Sequence, residues 1–202
     1  MAETKSTDTK TVLWTERIRD LASDAWWANV TVERLEARAG QPRFRLSDKA
    51  VAGYSMLTSR AAANVTNIGV VLKASVEKAA AAVGFISALR LEIQPLPAQP
   101  VILWDMCFDS FSGRYLPPHN EYGAYGTVND EGDAWRVTLV AFVQAGATAN
   151  VNMHILPAVG KAFRSYDQTA TGMIVVRNVE FQQIPVNEAH ALCQQFPSMA
   201  SK

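Results

Sequence analysis

The chain of 202 residues carries three histidines, His119, His154 and His190, each in a different stretch. None belongs to a His-Glu-x-x-His helix or to a Cys/His cluster, the spacings that gather zinc. A Gly-x-Ser-x-Gly elbow and a Gly-x-x-x-x-Gly-Lys-[Ser/Thr] loop are both missing from the sequence. That argues against the common hydrolase and nucleotide-binding classes. Glycoside hydrolysis needs two carboxylates facing across a cleft. Asp105 with Asp109 and Asp130 with Asp133 are the pairs on offer, but they sit at strand ends or in a turn, where acids serve the backbone. An esterase or lyase would have to draw on Asp105, Asp109, His119 or Glu121. The expectation is a protein that is not an enzyme. Asp130, Glu131 and Asp133 are close enough in sequence to gather a structural calcium, which takes hard oxygen ligands. No defined ligand loop surrounds them, and an ordinary solvated turn accounts for the same residues.

One stretch has the residue types for holding a sugar. That task asks for an exposed aromatic plane to stack on the ring, with amide, carboxylate or guanidinium partners for the hydroxyls. Tyr115, His119, Asn120, Glu121, Tyr122 and Tyr125 supply these types in one short segment, with Trp104 or Tyr166 as possible flanks. Tyrosines in a long loop also fill space beneath it and pin it down, so both readings stand.

The elements that must position these residues read as strands. From Ala134 to Val143, Trp135, Val137, Leu139, Ala141 and Val143 point one way at period two, which assigns Trp135 to the core. Asn150 to Ile155 alternates Val151, Met153 and Ile155 with Asn150, Asn152 and His154, and Met173 to Gln183 makes the last long strand. Further strands are expected over Asn29 to Leu46, Val51 to Leu57, Asn67 to Val76, Phe85 to Ile93 and Val101 to Phe108, the last of these buried on both faces. Gln94 to Pro100 is extended but proline-rich, and proline has no ladder donor, so it should not be a central strand. Lys78 to Val83 is alanine-rich and reads as a short helix or a loop. Helical spacing appears near both ends. Thr15 is a plausible N-cap for Ile18, Leu21, Ala22, Ala25 and Trp26, and Asn187 for Ala189, Leu192, Cys193 and Phe196. Trp26 and Trp27 either plug the bottom of the fold or form part of a partner-binding face. The C-terminal helix either folds back over the end of the sandwich or docks on neighbours.

Composition bounds the rest. The formal charge is zero and nearly half the residues are apolar, so there is a core to build and no global pull toward nucleic acid or an anionic membrane. The basic residues Arg34, Arg38, Arg43, Arg45 and Lys49 are interleaved with Glu33, Glu36 and Asp48, as on a solvated strand face. The apolar windows are interrupted, for example by Gly84, Ser87 and Arg90, so no segment reads as membrane-spanning. The first residues lack the apolar stretch of an ordinary secretory signal. Cys107 and Cys193 stand far apart without metal-ligand neighbours and read as free thiols rather than a disulfide.

The second half of the chain resembles a known class. An acidic turn, Gly-Asp-x-Trp-Arg-Val-x-Leu from Gly132, a glycine turn, an alternating strand, Tyr166-Asp167 and Gly-x-x-x-Val-x-x-Val-x-Phe from Gly172 follow one another. This pattern is similar to jelly-roll domains of the carbohydrate-binding-module type, which recur in phage tail, fibre and head-spike proteins and beside glycoside hydrolases. Val71-Leu72-Lys73-Ala74 and the hairpin Asp109 to Tyr115 fit the same pattern, whereas Arg136 and Val176-Arg177 stand where aromatic residues are usual. The resemblance implies an all-β antiparallel sandwich of jelly-roll type with short N- and C-terminal helices. Three parts are expected: an arm and short helix over residues 1–27, the sandwich over 28–185, and a helical tail over 186–202. It further implies a non-enzymatic virion component, a head decoration, fibre or spike, assembled in the host cytoplasm. Its partners would be other virion proteins, met through the arm and terminal helices, and host surface polysaccharide, met through Tyr115 to Tyr125. A trimer is the expectation by analogy. The alternative is a soluble, cytoplasmically made carbohydrate-binding accessory module of a polysaccharide-degrading system.

Overall fold

The computed structural model describes residues 14–18, 27–48, 56–97, 101–117, 124–143, 148–163 and 165–196. Thirteen strands and one helix follow in order: β1 (Trp14–Ile18), β2 (Trp27–Ala28), β3 (Val30–Arg38), β4 (Gln41–Asp48), β5 (Leu57–Thr66), β6 (Ile68–Glu77), β7 (Ile86–Leu96), β8 (Ile102–Phe108), β9 (Tyr115–Leu116), β10 (Tyr125–Asp130), β11 (Ala134–Phe142), β12 (Thr148–Gly160), β13 (Met173–Pro185) and α1 (Val186–Gln195). They form two sheets. Sheet A runs β10-β11-β6-β13-β4-β3, with β1 also laid along β13, and sheet B runs β2-β5-β12-β7-β8-β9.

The pairings nest. β4 pairs with β13, β5 with β12, β6 with β11 and β7 with β8, all antiparallel. Successive rungs fall alternately in sheet A and sheet B, so the chain is one long antiparallel ribbon wound around a core. The contacts β13–β6 and β12–β7 stitch the turns of the ribbon together. This is the winding of a jelly roll, which closes a sandwich with few free edges.

Period-two alternation explains which face each strand buries. On β6, Val70, Leu72, Ala74 and Val76 enter the main core. The opposite face changes character along its length: Gly69 and Val71 lie under α1, then Lys73, Ser75 and Glu77 make polar contacts to Gln182, Glu131 and Arg43. β13 breaks the alternation. Val176 and Val179 both face the core because a bulge between Arg177 and Glu180, with Asn178 at φ 52°, inserts a residue. Arg136 on β11 and Arg177 on β13 make polar ties. Arg136 donates to Ser75, the Asn178 carbonyl and Glu180, and Arg177 is paired with Asp133.

Several expectations are corrected. Residues 14–18 are a strand, not the start of a helix, with Trp14 opposite Gln183 and Ile18 opposite Val179. β4 covers β13 only from Met173 to Val176, and β1 supplies the ladder for its C-terminal half, a demand that local helical spacing cannot reveal. The remainder of the expected N-terminal helix, with Trp26, lies outside the described residues. Pro95 does fall inside β7, opposite Ala149 of β12, but past Ile93, where the pairing with β8 ends, so its missing N–H breaks no ladder on that side. Lys78 to Val83 is a loop. The helix α1 begins after Pro185, which makes no side-chain cap, so Asn187 is not the N-cap. Strands also cover residues 58–66, where no element is expected, and 125–130, where Tyr125 is expected to end a loop and Asn129-Asp130 to open a turn; these are β5 and β10.

Trp135 keeps its core phase and packs against the main core. Its indole N–H donates to the Ser110 carbonyl at 2.9 Å, and Lys78 Nζ lies 4.1 Å above the ring. Gly113, at φ 69°, places its Cα against the indole, and a Cβ there would come within 2.7 Å of it. Gly113→Ala therefore carries both backbone strain and a clash, and a stability loss of about 1–3 kcal/mol in urea unfolding is expected.

Candidate functional site

Of the six residues singled out for sugar contact, two lie among the described residues with their side chains, Tyr115 and Tyr125; His119, Asn120, Glu121 and Tyr122 lie outside them. Tyr115 is half-buried in β9 and packs against the main core. Tyr125 opens β10 and is 40% exposed. Its ring centroid lies 6.4 Å from that of Phe142, tilted by 48°, and Phe142 is stacked on His190 at 4.2 Å with an angle of 18°. Strands β10 and β11 and helix α1 each contribute one ring to a row on the outer side of sheet A. Trp104 cannot flank a sugar there, since it is 5% exposed and belongs to the core. Tyr166 is exposed but stands at sheet B.

The helix that brings His190 is held by close approach. Ala189 and Cys193 are its buried residues, and they pack with Val71, Val140 and Ile184. A Cβ on Gly69 would lie 2.2 Å from the Ala189 Cβ, so only glycine lets α1 sit this near the sheet. Phe142 and His190 were not identified from sequence. The available signal was that Val140 and Phe142 are apolar in the phase opposite to Trp135, which requires a cover on the outer face of β11.

The outer face of sheet B carries a buried polar lattice. Thr58, His154, Arg90 and Asp105 stand abreast on β5, β12, β7 and β8. Arg90 grips Asp105 through Nε and Nη2, the second at 2.8 Å, and the two side chains are only 10% and 9% exposed. Thr58 Oγ1 and His154 Nδ1 share a hydrogen bond of 2.8 Å. Glu92 accepts from Asn152 at 3.0 Å and from Gln94 through the same oxygen, Oε1. Tyr166 brings its hydroxyl to 4.0 Å from Cys107 Sγ. Burial, reinforced by the negative charge of Asp105, pushes the Cys107 thiol up to about 11 and the Tyr166 phenol well above its ordinary value. A thiol that stays protonated is a poor nucleophile, and a carboxylate gripped by both arms of a guanidinium is not free to move a proton. The lattice is built to hold strands, not to react.

The other acids are equally committed. Asp109 accepts from the Phe111 amide at 2.8 Å and from the Ser112 hydroxyl at 2.7 Å, capping its own turn. In the turn considered for calcium, Asp130 takes Lys78 at 2.7 Å, Glu131 takes Ser75 at 2.8 Å, and Asp133 takes Arg177 and Arg38. The Lys78 ammonium holds the Asp130 carboxyl below the usual carboxylate range, and Arg177 does the same for Asp133. Their contributions to stability are present above the ordinary carboxylate value and are lost as pH falls through the depressed one. Among the described residues no group of three or more His, Cys, Asp or Glu is arranged to hold a metal. The basic strand face is paired as well, Arg43 with Glu77 and Arg45 with Glu33, while Lys49 lies outside the described residues. Cys107 on β8 and Cys193 on α1 are buried free thiols. Among the described residues no helix is long and apolar enough to cross a membrane. A scan against protein-family models finds no matching family, and a search of curated proteins finds no significant match.

Proposed function

We propose that this protein is a non-enzymatic jelly-roll component of a phage or phage-like particle that contacts host surface polysaccharide through the aromatic row Tyr125, Phe142 and His190. The observation that carries the reading is the commitment of the carboxylates. Asp105, Asp109, Asp130 and Asp133, the acids a hydrolase would need, are each engaged by a guanidinium, an ammonium or their own turn. Tyr125 is 40% exposed at the edge of the aromatic row, and stacking on a sugar ring asks for such a face rather than for a titrating pair. The additions at both ends of the wound ribbon, β1 along β13 and α1 across β6 and β11, suit contacts with neighbouring particle proteins.

The test is retention on immobilised bacterial surface polysaccharides, run beside a turnover assay on the same glycans and on model esters. Wild-type protein is expected to be retained saturably without turnover, and with no change on adding a calcium chelator. Tyr125→Ala is expected to lose most of the retention while its stability changes by no more than about 1 kcal/mol, as for an exposed side chain. Catalytic turnover would overturn the proposal, and so would retention that is indifferent to Tyr125.

A further inference from the structure

His154 is out of place as a mere packing residue. Its side chain is 5% exposed, its Nδ1 is bonded to Thr58, and its Nε2 lies 3.3 Å from Glu92 Oε2. Among the described residues that nitrogen has no hydrogen-bond partner. A buried polar atom left in this condition is costly, and the arrangement around it is specific. Glu92 is aimed by two amides on Oε1, which leaves Oε2 directed at the imidazole.

We infer that Thr58, His154 and Glu92 form a proton-operated contact that joins strands β5, β12 and β7 differently at neutral and at mildly acidic pH. In the neutral ring one nitrogen carries hydrogen and the other only accepts, so the ring can donate to Thr58 or to Glu92 but not to both. When the ring takes up a proton from solvent, both nitrogens become donors. Nδ1 then donates to the Thr58 hydroxyl, which must accept, and Nε2 donates to Glu92 Oε2, so that the neutral contact becomes an ion pair across β12 and β7.

The charges facing the ring set the pH at which this happens. Burial opposes the charged ring most strongly, and Arg90 on β7 adds to that opposition. Glu92 on β7 and Asp105 on β8 favour the charge without outweighing burial. The ring therefore takes its proton below the ordinary value of 6.5. The unfolded chain binds the proton first, so stability declines as pH falls below that value and levels off once the folded ring is also charged.

Heteronuclear NMR of the ring nitrogens tests this on the full chain. His154 is expected to titrate below the ordinary imidazole value of 6.5, and the Glu92 carboxyl and Thr58 resonances are expected to shift with the His154 midpoint. Glu92→Gln should lower that midpoint further, because it removes the favouring charge. Between about pH 7.5 and about pH 5.5, the urea midpoint of wild-type protein should fall more than that of His154→Gln, whose amide keeps hydrogen-bonding capacity without titrating. A His154 midpoint at or above 6.5 would overturn the inference, as would Glu92 and Thr58 resonances that ignore the His154 titration. If His154→Gln does not fold, the wild-type titration alone decides.

Discussion

Arg90→Met is expected to cost about 3–5 kcal/mol of folding stability, a large share of the roughly 5–15 kcal/mol that holds a domain together. Removing the guanidinium leaves the Asp105 carboxylate, 9% exposed, without its counter-charge in the middle of sheet B. Tyr166 and Cys107 are the groups left beside it, and neither carries positive charge. Replacing both partners should be far milder. Arg90→Met with Asp105→Leu is expected to recover most of the loss, since two apolar side chains of similar volume remove the buried charge along with its need for a partner. Equilibrium urea unfolding of the two variants measures this. A single variant within about 1 kcal/mol of wild type would mean that water or another group solvates Asp105 and that the pair is not buried in solution.

Gly69→Ala is expected to lift α1 off sheet A. The new Cβ would stand 2.2 Å from the Ala189 Cβ and 3.2 Å from Ile184 Cγ1, and the first of these is anchored to helix backbone that cannot swing aside. Overpacking of this kind costs about 1–3 kcal/mol. The helix has an escape that a core residue lacks, so the strain should appear as local undocking while the sandwich stays folded. Cys193 reports it directly. Burial holds its thiol up to about 12 in the docked helix, so thiol reagents should modify it slowly in wild-type protein and quickly in Gly69→Ala, with Cys107 slow in both. Adding Ala189→Gly should restore protection of Cys193, less about 0.5–1 kcal/mol for glycine within a helix. Unchanged Cys193 reactivity in Gly69→Ala would contradict the docking geometry. The same variant should weaken polysaccharide retention, because His190 leaves Phe142.

Strands β7, β11 and β12 are legible by alternation. β6 is buried on both faces over most of its length and shows no alternation, and the nested pairings join segments far apart in the chain that no local pattern ties together. α1 was legible from the spacing of Ala189, Leu192 and Cys193. What failed were elements decided by distant partners. β5 is rich in alanine and polar residues and forms a strand because β2 and β12 flank it on both sides. β1 carries helical spacing but is recruited by the part of β13 that β4 leaves uncovered. The bulge at Arg177 to Glu180 shifts a two-residue rhythm by one, which alternation alone cannot place.

The candidate site follows the same rule. Tyr125 could be chosen by residue type and loop context, but Phe142 and His190 join it only because α1 crosses β11. Tyr115, chosen on the same grounds, faces the core. The lattice on sheet B was invisible in advance because Thr58, Arg90, Asp105 and His154 come from four strands and meet only through register.

The most direct measurement titrates isotope-labelled protein with a short fragment of a polysaccharide that retains it and follows the amide and aromatic resonances. The account predicts that the largest shifts cluster at Tyr125, Phe142 and His190 and saturate together, with sheet B unmoved. Shifts centred on Glu92, Asn152 and Leu103 of sheet B, or no shifts with any fragment, would contradict it.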